Sequence, residues 1–173
     1  MMANVRHELE LISGIYEIIP NREGAGIMQK NLEMLGDIKY SEYEIDYANT
    51  ILKEAGKEQQ GIDGTVKPLK PTLPAQGGST DVGDVSQVVP VVRLGVTTAA
   101  KGGPWHSWAV VACTGMSIGH KSLIYASKIL SMTMLDFYKN PKMIDAVKKE
   151  FIERKGERVY EPRIPPGPPK LID

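Results

Sequence analysis

A mixed α/β fold is expected from three observations. In residues 5–11, Val5, His7, Leu9 and Leu11 alternate with Arg6, Glu8 and Glu10, the period of two that gives a strand one dry and one wet face. Residues 88–98, VVPVVRLGVTT, are β-branched and almost continuously apolar, as in a strand covered on both faces. Between and after these runs, apolar residues recur at helical spacing.

The elements follow in order. Residues 21–24 break the first pattern, and Ile27, Met28, Leu32 and Leu35 then give a short amphipathic helix over 25–35 that Gly36 caps. Ser41 and Glu44 stand in the spacing of a capping box. Ile45, Ala48, Ile51 and Leu52 carry the helix behind it to Gly56. Residues 57–80 contain three prolines and four glycines without an apolar period, which predicts a long surface connection. Pro90 places the start of the following apolar run at an irregular or edge position. Trp108 to Ala112 form another short apolar run, read as a strand. Residues 117–138 make the longest helix, with Leu123, Ile124, Ile129, Leu130, Met134 and Phe137 as a dry stripe expected in the core. Asn140 as cap and Pro141 at the first helical position open a last helix through about Arg154. The end of the chain, 160–173, is proline-rich and expected to be extended.

Composition excludes several functions. With 173 residues, 42% hydrophobic and 24% charged, the chain is long enough for one domain and ordinary for a globular one. The 21 Lys and Arg balance the 21 Asp and Glu, so no basic face is expected for a phosphate backbone. One cysteine, Cys113, excludes an internal disulfide and a thiolate-rich metal site, and points to a reducing cytoplasm. No run approaches the roughly 18 apolar residues of a membrane span, and the charged start is unlike a signal peptide.

Three histidines limit the chemistry. His7 has no nearby partner and reads as structural. His106 lies in KGGPWHSWAV, after a Gly-Pro break and between the chain's two tryptophans; it is either a structural loop residue or a metal ligand. In residues 77–86, GGSTDVGDVS, the carboxylates Asp81 and Asp84 sit in a glycine-rich turn. They either orient a ligand or make an Asx-type turn. Residues 115–119 read G-x-S-x-G, the pattern of a serine nucleophile elbow. No acid followed by a histidine stands downstream in the required order, because the last histidine is His120. Ser117 is therefore expected to cap the long helix, with Gly115 and Gly119 permitting a tight corner. No catalytic residue is assigned.

Four motifs, YEIIPN at 16–21, STDVGDVS at 79–86, GPWHSW at 103–108 and SIGHK at 117–121, resemble in order and spacing the metal-dependent amidohydrolases and peptidases of the aminoacylase and carboxypeptidase type. Within them the chain is most similar to the aminobenzoyl-glutamate utilisation proteins. The resemblance implies the C-terminal half of a zinc-peptidase-like catalytic domain, a mixed sheet flanked by helices, over 18–173. Before it, 1–17 would supply the last strand of a lid and dimerisation domain. It implies hydrolysis of an amide in N-acyl amino acids or aminobenzoyl-glutamate-like substrates, with two zinc or manganese ions in the complete enzyme. His106 matches the final metal-ligand histidine. Thr80, Asp81 and, beside them, Asp84 would lie on the substrate side or behind the ligands. The motifs that carry the family's other ligands and its general base are missing, so the chain is expected to need a separate N-terminal half or a homo-oligomer. The alternative is a non-catalytic subunit or fragment.

Overall fold

The computed structural model describes residues 6–9, 11–71 and 80–168. Among them it has six helices and no strand: α1 Arg22–Leu35, α2 Glu42–Glu54, α3 Val82–Ser86, α4 Trp108–Thr114, α5 Ser117–Lys139 and α6 Pro141–Lys155. The expected mixed sheet is therefore corrected to an all-helical arrangement.

The reason differs between the three expected strands. Residues 6–9 and 11 are irregular and exposed, with nothing paired beside them. Residues 91–98 are free of turns and helix, but a strand exists only through a hydrogen-bonded neighbour, and none runs alongside among the described residues. Residues 108–112 lie inside α4: a short apolar run looks alike in a buried strand and a buried helix, and here the helix wins. The G-x-S-x-G sequence thus joins two helices and has no strand before it. Part of the expected 57–80 loop, 72–79, and the terminal residues 169–173 lie outside the described residues.

Helix ends follow the chemistry of their caps. Asn21 starts α1 earlier than the apolar pattern does, its side-chain oxygen accepting from the Gly24 amide at 2.8 Å. Gly36 ends the helix at φ 75°. Ser41 and Glu44 form the capping box of α2, and Pro141 occupies the first turn of α6.

The core is small and lies where α2, α4 and the start of α5 meet: Ala48, Ile51, Leu52, Ala109, Cys113 and Ile118, joined by Ala100. Full burial of Leu52 or Ile118 stabilises by roughly 1.5–3 kcal/mol each. Helix α5, about 34 Å long at the standard rise, runs through the molecule and packs on α1, α4 and α6. Between α1 and α5, the Asn31 amide donates to Thr133 at 3.1 Å and to Asp136 at 2.8 Å. The stripe on α5 is only partly dry. Ile129 is fully buried, but Leu123, Ile124, Leu130 and Met134 face outward, with Leu123 at 66% exposure.

Candidate functional site

The motif residues fall into three local structures. The first is a knot around Asp84. Thr80 accepts from the Val82 amide at 3.3 Å, and Asp81 stands exposed at the start of α3 without a side-chain cap bond. Asp84 turns inward. One carboxylate oxygen accepts from the Tyr16 amide at 3.2 Å and the other from the Tyr160 hydroxyl at 3.1 Å. Ser86 accepts from the Ile19 amide at 2.9 Å, and Gln87 donates to the Glu17 carbonyl at 2.9 Å. Helix α3 therefore holds the backbone of residues 16–19, which brings the motifs STDVGDVS and YEIIPN together. Gly83 is required by that approach, since a methyl group there would run into the Tyr16 carbonyl. The tail closes the knot. Arg163 lies over the Tyr16 ring at 4.8 Å, and the Tyr16 hydroxyl donates to the Glu161 carbonyl at 3.0 Å. Burial, then the hydrogen bond to Asp84, pushes the Tyr160 phenol up. Asp84 is thus committed to holding three chain segments together. The sequence signal for Tyr160 and Arg163 was absent, because a proline-rich tail carries no periodicity to place its side chains.

The second local structure is the turn before α4. Gly102 at φ 77° and Pro104 reverse the chain, and the Ser107 hydroxyl donates to the Pro104 carbonyl at 2.7 Å. His106 has φ 57° and, among the described residues, is the one non-glycine residue in the left-handed region. Its side chain is exposed, as are the neighbouring tryptophans in the sequence, Trp105 at 69% and Trp108 at 53%. Trp105 also lines a cleft of about 700 Å³ bounded by residues 63–70 and 93–102. A histidine held exposed in a left-handed turn can offer a ring nitrogen to a metal or a proton to a ligand.

The third is the α4–α5 corner with SIGHK. Ser117 does not cap: Met116 takes that position, and the Ser117 hydroxyl donates to Glu44 at 2.6 Å. The Lys121 ammonium donates to Glu44 at 2.6 Å and to the Lys39 carbonyl at 2.9 Å. Burial raises the Glu44 carboxyl, but Lys121, Ser117 and Ser41 outweigh it and hold it at about 2. This network ties α2 to α5, and with the carboxylate so stabilised Ser117 has no base to activate it. Gly119 serves the corner as expected, since a methyl group would collide with the Thr114 carbonyl.

The structure does not bring His106 to the aspartates. No hydrogen bond joins it to Asp81 or Asp84, and among the described residues no three His, Cys, Asp or Glu side chains are grouped as metal ligands. The described residues do not form a zinc or manganese shell by themselves.

Among known proteins, the chain is 30% identical over 100 residues to a subunit of the p-aminobenzoyl-glutamate hydrolase of Escherichia coli (strain K12), a match covering 58% of this chain and 21% of the relative. The match agrees with the resemblance to the aminobenzoyl-glutamate utilisation proteins. The chain spans about a fifth of the length of the curated relative it matches. No family model and no solved structure matches the chain. No described helix is long and apolar enough to cross a membrane.

Proposed function

We propose that this chain is one part of a metal-dependent amide hydrolase, acting on N-acyl amino acids of the aminobenzoyl-glutamate kind in the cytoplasm. The observation that carries the reading is the match to a hydrolase subunit of that substrate class. The left-handed, exposed His106 supports it, because strain of this kind persists where the residue has a use. In this reading His106 contributes one ligand to a zinc or manganese site, and the rest of the shell and the base that activates water come from a second polypeptide. Asp81 and Thr80 lie at the exposed end of α3, free to face substrate, while Asp84 acts behind them through the backbone it holds. In this reading 1–17 is the lid side of the assembled enzyme and 18–173 the catalytic side, and Tyr16 and Glu17 are the junction that α3 and the tail hold to the catalytic side.

A non-catalytic subunit is the second reading, favoured by the sparse ligand set of the described residues. The two part on activity. The chain coexpressed with the unmatched remainder of the Escherichia coli relative should release p-aminobenzoate from p-aminobenzoyl-glutamate, and His106→Ala in the same assembly should lower the rate by at least about 100-fold. A complex that forms but never hydrolyses the amide favours the non-catalytic reading.

A further inference from the structure

The chain enters the helical body through two anchors of different depth. In the deeper one the Ile19 amide donates to Ser86 at 2.9 Å and the Asn21 side-chain amide to the Val147 carbonyl at 2.8 Å. Ile19, Asn21 and Ser86 are all buried. The shallower one is Tyr16, whose amide donates to Asp84 at 3.2 Å. Residues 157–165 lie over it. The Tyr160 hydroxyl donates to Asp84 at 3.1 Å and the Tyr16 hydroxyl to the Glu161 carbonyl at 3.0 Å. The two rings stand 5.6 Å apart, and the Arg163 guanidinium covers the Tyr16 ring at 4.8 Å. In this stretch Tyr160 and Pro165 are half-buried and every other residue is exposed. Exposed polar and cation–ring contacts are weak and open locally, whereas a buried anchor opens only with the helices around it. Pro162 and Pro165 keep the stretch stiff when it is undocked, so little chain entropy is lost when it returns.

We propose that residues 157–165 are a releasable strap. Docked, it clamps Tyr16 against α3 and fixes the direction in which the chain leaves the helical body at Gly14. Released, it lets residues 14–17 swing about the buried Ile19 anchor while the helices stay intact. The two depths of anchoring set this order, because the exposed tie opens before the buried one. Gly14 lets the strap lie close: a Cβ there would stand 2.9 Å from that of Arg163, nearer than two side chains tolerate. The strap is read from this chain alone. That the segment it aims is the lid side of an assembled enzyme rests on the functional reading.

Hydrogen exchange read at single amides of the full chain tests it. Gly14→Cys with Arg163→Cys makes the strap switchable, since the 2.9 Å separation needs only a small shift to reach the roughly 3.5–4.5 Å between the Cβ atoms of a disulfide. Cys113 is buried and stays out of the pair. With the pair oxidised by glutathione disulfide the Tyr16 amide should be protected. Reduction with dithiothreitol should lower that protection at least about tenfold, with the Ile19 amide changed by less than about twofold and helical circular dichroism unchanged. Tyr160→Phe with Arg163→Ala should release the strap in the same way without a disulfide, whereas Arg163→Lys, which keeps a cation over the ring, should hold it. A pair that does not oxidise would overturn the proposal, as would a Tyr16 amide indifferent to reduction or to the double variant. Loss of protection at Tyr16 and Ile19 together would also overturn it, because the two anchors would then open as one. Amide hydrolysis by the complex with the remainder of the Escherichia coli relative, when the Tyr16 amide ignores the strap, rejects the strap and keeps the functional reading. A Tyr16 amide that follows the strap in a complex that never hydrolyses does the reverse.

Discussion

At the scale of single residues, His106 and Glu44 show opposite uses of a charged or polar side chain. His106 is exposed and strained, so its removal should cost the fold little. A left-handed residue with a Cβ costs roughly 1–2 kcal/mol relative to glycine. His106→Gly is accordingly expected to be more stable to urea than His106→Ala by about 1 kcal/mol. Equal midpoints would show that the turn is not strained at this position. Glu44 is buried and held charged. Its carboxyl lies lower in the folded chain, at about 2, than the ordinary 4.5, so it binds its proton more weakly folded than unfolded. Its contribution is complete above about 4.5 and is lost as pH falls from there through about 2. Acid unfolding followed by circular dichroism should show this slope, and Glu44→Gln should flatten it while lowering stability at neutral pH. An unchanged acid profile in that variant would mean that another carboxylate controls it. The capping box was legible in the spacing of Ser41 and Glu44. The partnership of Glu44 with Ser117 and Lys121 was not, because those residues are more than 70 positions away in sequence.

At the scale of elements, caps and periodicity located α1, α2, α5 and α6, since a cap is a local hydrogen bond and an amphipathic stripe repeats within one helix. What they did not give is pairing. The run 91–98 carries a strand's composition without a strand's neighbour, and the run at 108–112 is helical because Ala109 and Cys113, four residues apart, both reach the core against α2. Site residues followed the same division. The motif placed His106 at a turn, but which segment Asp84 holds depends on contacts with Tyr16 and Tyr160 that no local pattern encodes. The α4–α5 corner offers a direct check. Gly119→Ala forces a methyl group against the Thr114 carbonyl and is expected to lower stability by roughly 1–3 kcal/mol. Gly115→Ala, at an ordinary helical φ of −76°, should cost well under half as much. Similar losses at both would place the tight contact elsewhere.

At the scale of the whole molecule, the outward-facing apolar side chains are the dominant feature. Leu123, Leu130, Met134 and Tyr138 fall on one side of α5 at offsets of seven, eleven and fifteen residues from Leu123, and Tyr138 is 86% exposed. Apolar surface of this extent on a helix normally meets another protein surface. The chain alone is expected to self-associate, with a sedimentation coefficient that rises with concentration, and Leu123→Glu with Met134→Glu should restore a single monomeric species. A wild-type chain that stays monomeric and melts cooperatively at high concentration would show that it needs no partner. The central claim is that His106 serves a metal site completed by a second polypeptide, and metal content after dialysis tests it most directly. The expected result is little zinc or manganese on the chain alone, stoichiometric metal on the complex with the remainder of the relative, and a loss of bound metal from the His106→Ala complex. Stoichiometric metal on the isolated chain, or an undiminished content in the His106→Ala complex, would contradict it.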